Sequence, residues 1–307
     1  MMKLLIASVF ATIIFLTMPY ISETRDLQAN NQSQKPLFSF GILADIQYAD
    51  YDPVGTRFYR SSLGKLREAL TSLKRDSAEF IISLGDVIDR DIESFKPVMN
   101  LIDSSGMKTY HITGNHDYSV EPRLKKRIPL LPETKDKYYS IAYKNFTFIF
   151  LDGNEVSTYM SNNKSQIKQA EEYLFTMKEK GEINAIDWNG GFSSKQLLWL
   201  KAQLDEATNR NQSVFLICHF PVVPENEHNL LNYKEVLPIL EDYENIIAWF
   251  NGHNHAGNYG NFNMIHFVTF KGMVETETRN SFALVEVYKN KIWIRGYGRE
   301  RSQILAY

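Results

Sequence analysis

Five times along the chain, a short apolar run ends abruptly in a cluster of acids, amides or histidines. The sharpest case is Phe80-Ile81-Ile82-Ser83-Leu84, which runs into Gly85-Asp86-Val87-Ile88-Asp89-Arg90. A short isoleucine-rich run closed by glycine reads as a buried strand. Asp86 then stands where a buried strand ends, and a carboxylate there must be paired, hydrogen-bonded or bound to a cation. A helix N-cap is the plain alternative for one such aspartate. The recurrence of the pattern is what favours a shared site.

In chain order, residues 37–43 predict a strand ending in Ala44-Asp45-Ile46-Gln47. Gly55-Thr56-Arg57 opens a helix with Phe58, Leu63, Leu66, Leu70 and Leu73 on one face. A second helix runs through Phe95, Val98, Met99 and Ile102 and stops near Gly106. The strand at 108–113 delivers Gly114-Asn115-His116-Asp117. This alternation predicts parallel βαβ units, with three clusters at the C-terminal edge of one sheet. Beyond it, strands at 138–143 and 146–152 form a hairpin through Lys144-Asn145. A helix is expected around 166–178, and Ser193 caps another that carries Leu197, Leu200 and Leu204. Strands at 213–218 and 246–250 deliver His219 and the run Asn251-Gly252-His253-Asn254-His255. Segments 264–269, 282–288 and 292–296 read as closing antiparallel strands. Residues 37–307 form one catalytic domain on this reading.

The first residues differ. Met1-Met2-Lys3 precedes an apolar stretch to Met18, the layout of a secretory signal peptide, with an uncleaved membrane anchor as its rival. Residues 1–21 are therefore read as that segment and 22–36 as a polar, flexible linker. The chain is expected to be exported (periplasmic or secreted) or anchored, touching a membrane only through this segment. A formal net charge of -2 gives no global electrostatic case for nucleic acid. Cys218 is the only cysteine, so no intrachain disulfide is possible, and its apolar surroundings suggest a buried, inert thiol.

Collected, the clusters offer Asp45, Asp86, Asn115, His219, His253 and His255. Mixed oxygen and imidazole ligands suit Mn, Fe or Zn and fit Ca poorly. The set exceeds the needs of one tetrahedral ion, and a carboxylate shared by two ions uses it economically.

Asp45-Ile46-Gln47, Gly85-Asp86-Val87-Ile88-Asp89, Gly114-Asn115-His116-Asp117, His219 and Gly252-His253-Asn254-His255 together resemble the calcineurin-like metallophosphoesterase superfamily. Ala44 to Asp50, Gly55-Thr56-Arg57, Asn189-Gly190-Gly191-Phe192-Ser193 and His253 to Tyr259 are similar to manganese-dependent ADP-ribose/CDP-alcohol diphosphatases. The resemblance implies an α/β fold, a four-layer α/β/β/α sandwich, with two divalent metals, manganese foremost and Fe or Zn as options. It implies Asp45 and His255, with Gln47, on one metal, Asp86 as the bridge, and Asn115, His219 and His253 on the other. It places His116 near the leaving group, oriented by Asp89. Gln47 stands where the superfamily usually has histidine, which implies a loosely bound first metal, and the diphosphatase subfamily shares this glutamine. Arg57, Arg90 and His228 are implied to bind a small-molecule nucleotide substrate, Arg90 either by gripping phosphate or by merely solvating its loop. The loop Tyr51-Asp52-Pro53-Val54 is shorter than that subfamily's, which leaves base preference open.

The implied reaction is hydrolysis of the diphosphate bond in ADP-ribose or CDP-alcohols. A phosphomonoesterase or cyclic-nucleotide phosphodiesterase on the same site is the alternative, and a non-catalytic metal-binding surface protein is another. His111 reads as a satisfied core residue, His266 as packing on a closing strand, and Trp188, Phe192 and Trp199 as core rather than a base-stacking platform. Lys125-Lys126-Arg127 reads as a solvated face.

Overall fold

β1 (Phe38–Leu43), β2 (Phe80–Ser83) and β3 (Thr109–His111) pair in parallel, joined by α1 (Ser62–Arg75) and α2 (Phe95–Ser104). The computed structural model describes residues 35–128, 138–160 and 164–307. The N-terminal segment and the linker through residue 34 lie outside the described residues. Residues Pro36–Tyr307 form one unit.

The chain continues through β4 (Tyr139–Tyr143), β5 (Phe146–Phe150), α3 (Lys164–Glu179), α4 (Ser194–Asn209) and β6 (Ser213–Ile217). Then come α5 (Tyr233–Glu241), β7 (Ile246–Asn251), β8 (Asn258–Phe262) and β9 (Ile265–Thr269). β10 (Ser281–Val287), β11 (Lys291–Gly298) and β12 (Gln303–Ala306) close it. Among the described residues the strands make two six-stranded sheets, ordered β12-β11-β10-β1-β2-β3 and β4-β5-β6-β7-β9-β8.

The sheets pack face to face over an aromatic core. Phe40 meets Phe148 edge-on with centroids 5.4 Å apart, and Phe215 and Phe250 join the same cluster. Such contacts add to a large burial of apolar area. Leu66, Leu70 and Leu73 of α1 and Val98 and Ile102 of α2 pack on the outer face of the first sheet. Leu200 and Leu204 of α4 and Val236 and Leu240 of α5 cover the second. The expected four layers follow from these faces.

Three local expectations change. α1 begins at Ser62, after a turn, because the backbone of Arg57 is bridged to Val54 and Glu275 and cannot enter a helix. β9 runs parallel to β7, not antiparallel to its neighbours throughout, because β8 intervenes as a hairpin partner. α5 carries Pro238 in its interior, which masks it in the sequence. The Ser193 cap is as expected: its Oγ accepts from Gln196 N–H at 3.2 Å.

Candidate metal centre

Asp45, Asp86 and Asn115 follow β1, β2 and β3 of one sheet, while His219 follows β6 and His253 and His255 follow β7 of the other. Both strand ends open on the same seam. The backbone bends sharply there: Asp45, Gln47, Asp86 and His253 adopt left-handed φ values of 49°, 43°, 52° and 67°. Non-glycine residues held there store strain of order 1–3 kcal/mol each, which marks functional sites. Glycine makes room at two points. A Cβ on Gly114 would fall 2.1 Å from Asp86 Oδ1, and one on Gly252 2.6 Å from Asp45 Oδ2.

Two groups of donors converge. Ligand atoms of Asp86, His219 and His253 lie within 4.8 Å of one another, as do those of Asp45, Asp86 and His255. Asp86 belongs to both, as a bridging carboxylate would. Asn115 Oδ1 lies 3.2 Å from His219 Nε2, on the first group's side. Gln47 Nε2 lies 3.0 Å from Asp86 Oδ2 and 3.1 Å from His255 Nε2, within the second.

Each histidine has one ring nitrogen fixed by an outside partner. His219 Nδ1 donates to Leu84 O at 2.7 Å, His253 Nε2 meets Asn189 Oδ1 at 2.9 Å, and His255 Nδ1 meets Glu275 Oε1 at 2.8 Å. That leaves the other nitrogen of each ring for the cluster, the arrangement that fixes tautomer and aim in metal-ligating histidines. The hydrogen bond from His255 holds Glu275 down at about 2, against its burial. Burial opposes ionisation of Asp86, but the charges of His219 and His116 outweigh it and hold that carboxyl well below its ordinary range. Burial pushes Asp45 up, with His255 acting against it.

The donor set fits first-row divalent ions. Asp45 Oδ2 and Gln47 Oε1 are buried acceptors with no hydrogen-bond partner, and the ion-pair partners of Asp45 and Asp86 are histidines. Two buried carboxylates among three imidazoles and two amides call for positive charge.

Asp117 supplies the frame. Its carboxylate accepts from the backbone N–H groups of Asp86, Val87, Ile88 and Gly114 at 3.0, 2.8, 3.1 and 2.9 Å, tying the two strand-end loops together.

Beside the cluster lies a cavity of about 510 Å³ lined by Arg57, Asn115, His116, Trp188, Glu227 and His228, among others. A second, of about 480 Å³, shares Arg57 and His116 and adds Tyr59, Asp89 and Arg90. His116 Nδ1 stands 3.3 Å from Asp89 Oδ1 without a hydrogen bond between them, and the backbone N–H of His116 donates to Asp86 Oδ1 at 2.7 Å. Burial lowers the affinity of this ring for a proton, but Asp86 and Asp89 reverse the sign and raise it.

The structure thus brings together Asp45, Gln47, Asp86, Asp89, Asn115, His116, His219, His253 and His255, with Arg57, Arg90 and His228 on the cavity walls. Arg90 takes a third arrangement: its guanidinium stacks 4.0 Å from the Tyr51 ring centroid and 5.2 Å from that of Tyr59. Trp188 is not core; it is 43% exposed on the cavity wall, its ring 6.4 Å from that of His228. Phe192 is buried, as expected of a core residue, whereas Trp199 is only half-buried and packs on Tyr138 at the margin of the core. His111 is buried with Nδ1 unpartnered, so it is not satisfied, whereas His266 bonds Tyr259 and Ala306. Lys126 and Arg127 are exposed, but Lys125 donates to Tyr159 O. Cys218 is buried, and burial pushes its thiol far up.

Sequence reasoning missed Glu275 and gave Asn189 no role. Asn189, a polar residue before two glycines, carries a weak local signal; Glu275 carries none.

The calcineurin-like phosphoesterase family pattern matches residues 38–257. The chain is 29% identical over 327 residues to the manganese-dependent ADP-ribose/CDP-alcohol diphosphatase of Bos taurus, covering 91% of this chain and 97% of that one. It is 30% identical over 298 residues to the protein of that name from Oryza sativa subsp. japonica, covering 86% and 92%. Its fold matches a dimetal phosphatase from Danio rerio with a TM-score of 0.79 at 24% identity, over 89% of this chain and all of that one. With the strand-end residues and the seam they share, these matches make the chain a member of the calcineurin-like phosphoesterase family.

Proposed function

We propose that the protein hydrolyses the diphosphate bond of nucleoside diphosphate-linked small molecules, ADP-ribose and CDP-alcohols, with manganese as its working metal. The carrying observation is the pair of cavities that meet at Arg57 and His116. A terminal phosphate needs room on one side of the reacting phosphorus; a diphosphate substituted at both ends needs room on both. Relatives named for these substrates and for manganese support the assignment.

Asp45, Gln47 and His255 would hold one ion, Asn115, His219 and His253 the other, and Asp86 both. The chemistry two divalent cations supply when bound is neutralisation of phosphoryl oxygens and acidification of water for attack at phosphorus. His116, backed by Asp89, gives a proton to the departing phosphate oxygen. Arg57, from its place beside His116, donates to a nonbridging oxygen. Trp188 and His228 offer flat faces to a base.

The test is a panel of ADP-ribose, CDP-choline, CDP-glycerol, cyclic nucleotides and p-nitrophenyl phosphate with Mn²⁺. Fastest turnover of the first three supports the reading; preference for either of the others replaces it with a phosphodiesterase or phosphomonoesterase.

We infer also that residues 1–21 take the chain to or across a membrane, supported by the apolar run to Met18. Mass spectrometry of the native protein should find an N-terminus between about residues 19 and 30, after such a run. An intact N-terminus in a membrane fraction would mean an anchor, and in a cytosolic fraction would refute export.

A further inference from the structure

Lys65 lies on α1, 4% exposed, and its ammonium donates to three backbone carbonyls: Met273, Glu275 at 3.2 Å and Thr276 at 2.9 Å. These carbonyls belong to one short stretch, 273–276. The N–H groups of that stretch bond the loops that carry Asp45 and Arg57 instead. Met273 N–H donates to Ala44 O at 2.9 Å, Val274 N–H to Asp45 O at 3.0 Å, and Thr276 N–H to Thr56 O at 3.0 Å. Glu275 pairs with the backbone of Arg57, and its carboxylate fixes His255. Thr276 is held at φ 63°, where a β-branched residue is strained.

A buried ammonium is costly unless its donors are all used. Burial, with the Arg299 charge adding to it, pulls Lys65 down to about 8. Packing alone would be served by methionine, so the charge is kept for what it grips.

We propose that Lys65 is a positioning residue for the Asp45–Gln47–His255 metal pocket, clamping 273–276 so that Glu275 aims His255 and the turn at Arg57 holds. The inference rests on the two-ion reading of the site.

The test is a Mn²⁺ titration of metal-free protein by calorimetry and electron paramagnetic resonance. Wild type should bind two ions. Lys65→Met should weaken one by about 10–100-fold, the range for loss of an outer support, and leave the other unchanged. Glu275→Gln should weaken the same ion, and the double variant should lose no more than the worse single one, because both act through His255. Wild-type affinity for both ions in Lys65→Met, or equal loss of both, overturns the clamp. Fewer than two ions in wild type overturns the two-ion reading instead. Should Lys65→Met not fold by circular dichroism, Lys65→Gln, which keeps two N–H donors, is titrated in its place. Failure of both to fold would assign the lysine to the fold at large and also overturn the proposal.

Discussion

Arg57 Nη1 lies 3.3 Å from His116 Nε2. Arginine only donates, so that nitrogen is an acceptor in the resting site, and the ring proton sits on Nδ1, facing Asp89. An anionic substrate competes with His116 for the guanidinium and frees Nε2, which then takes up a proton from solvent, favoured by Asp86 and Asp89, and holds it for the departing oxygen. His116→Ala should keep its metals and lose about 10²–10⁴ in turnover on ADP-ribose, the range for a positioned acid–base group. The loss should shrink on an aryl phosphodiester, whose leaving group needs less protonation. Turnover on both, with metal content measured in parallel, checks this; equal losses would remove the leaving-group role.

Asp86 stands in both donor groups. Asp86→Asn should release both ions rather than one. Metal analysis after gel filtration reads the outcome, and two retained ions would end the bridging assignment.

Trp188 faces the cavity. Trp188→Ala should raise KM for CDP-choline and ADP-ribose about tenfold or more with kcat unchanged, since base stacking on an aromatic ring contributes about 1–3 kcal/mol. Turnover of p-nitrophenyl phosphate, which has no base, should not change. A loss shared by all substrates would make Trp188 a general wall of the cavity.

Asp117 satisfies four buried N–H groups. Asp117→Ala strands them and should cost about 4 kcal/mol or more, given roughly 1–3 for each unsatisfied buried group. Urea unfolding in the presence of a chelator measures this without the contribution of bound metal. Wild-type stability would mean that the two loops hold each other without it.

His111 contributes one part of the pH dependence. Burial lowers its pKa from 6.5 to about 4. The unfolded chain therefore takes up this proton first on acidification. The stability tied to the neutral ring is complete above the unfolded value and is lost as pH falls from 6.5 toward 4. The full change is about 3 kcal/mol. His111→Gln should flatten that part of the stability curve, read by urea unfolding with chelator across this range; an unchanged slope would assign the acid sensitivity to other groups.

The cluster was legible because each ligand is tied to its own local signal: an apolar run, a turn residue, then a donor. Those signals survive without knowledge of the partner strand. Glu275, Lys65 and Trp188 were not legible, because their roles arise only when distant segments meet. Lys65 grips carbonyls 208 to 211 residues away, and Asn189 meets a histidine 64 residues away. β8 was hidden for a local reason: Asn258-Tyr259-Gly260-Asn261-Phe262 reads as loop in composition, and missing it turned the direction of β9. Trp188 was misread because apolar character predicts burial only in one direction.

The seam has a further consequence. Asp45, Asp86 and Asn115 come from one sheet and the three histidines from the other, so each ion would rivet two halves of the molecule that otherwise meet at this end through side-chain packing and a few hydrogen bonds, such as those from His219 to Leu84 O and from His253 N–H to Asp45. Each site at a hundredfold excess over its dissociation constant would contribute about 2.7 kcal/mol to the folded state. A chain whose sheets docked out of alignment would form neither pocket and would retain no ions. Metal retention therefore acts as an inspection of assembly: only molecules with both halves correctly mated acquire catalytic power, and chelation should loosen the join between the sheets before it unravels either sheet.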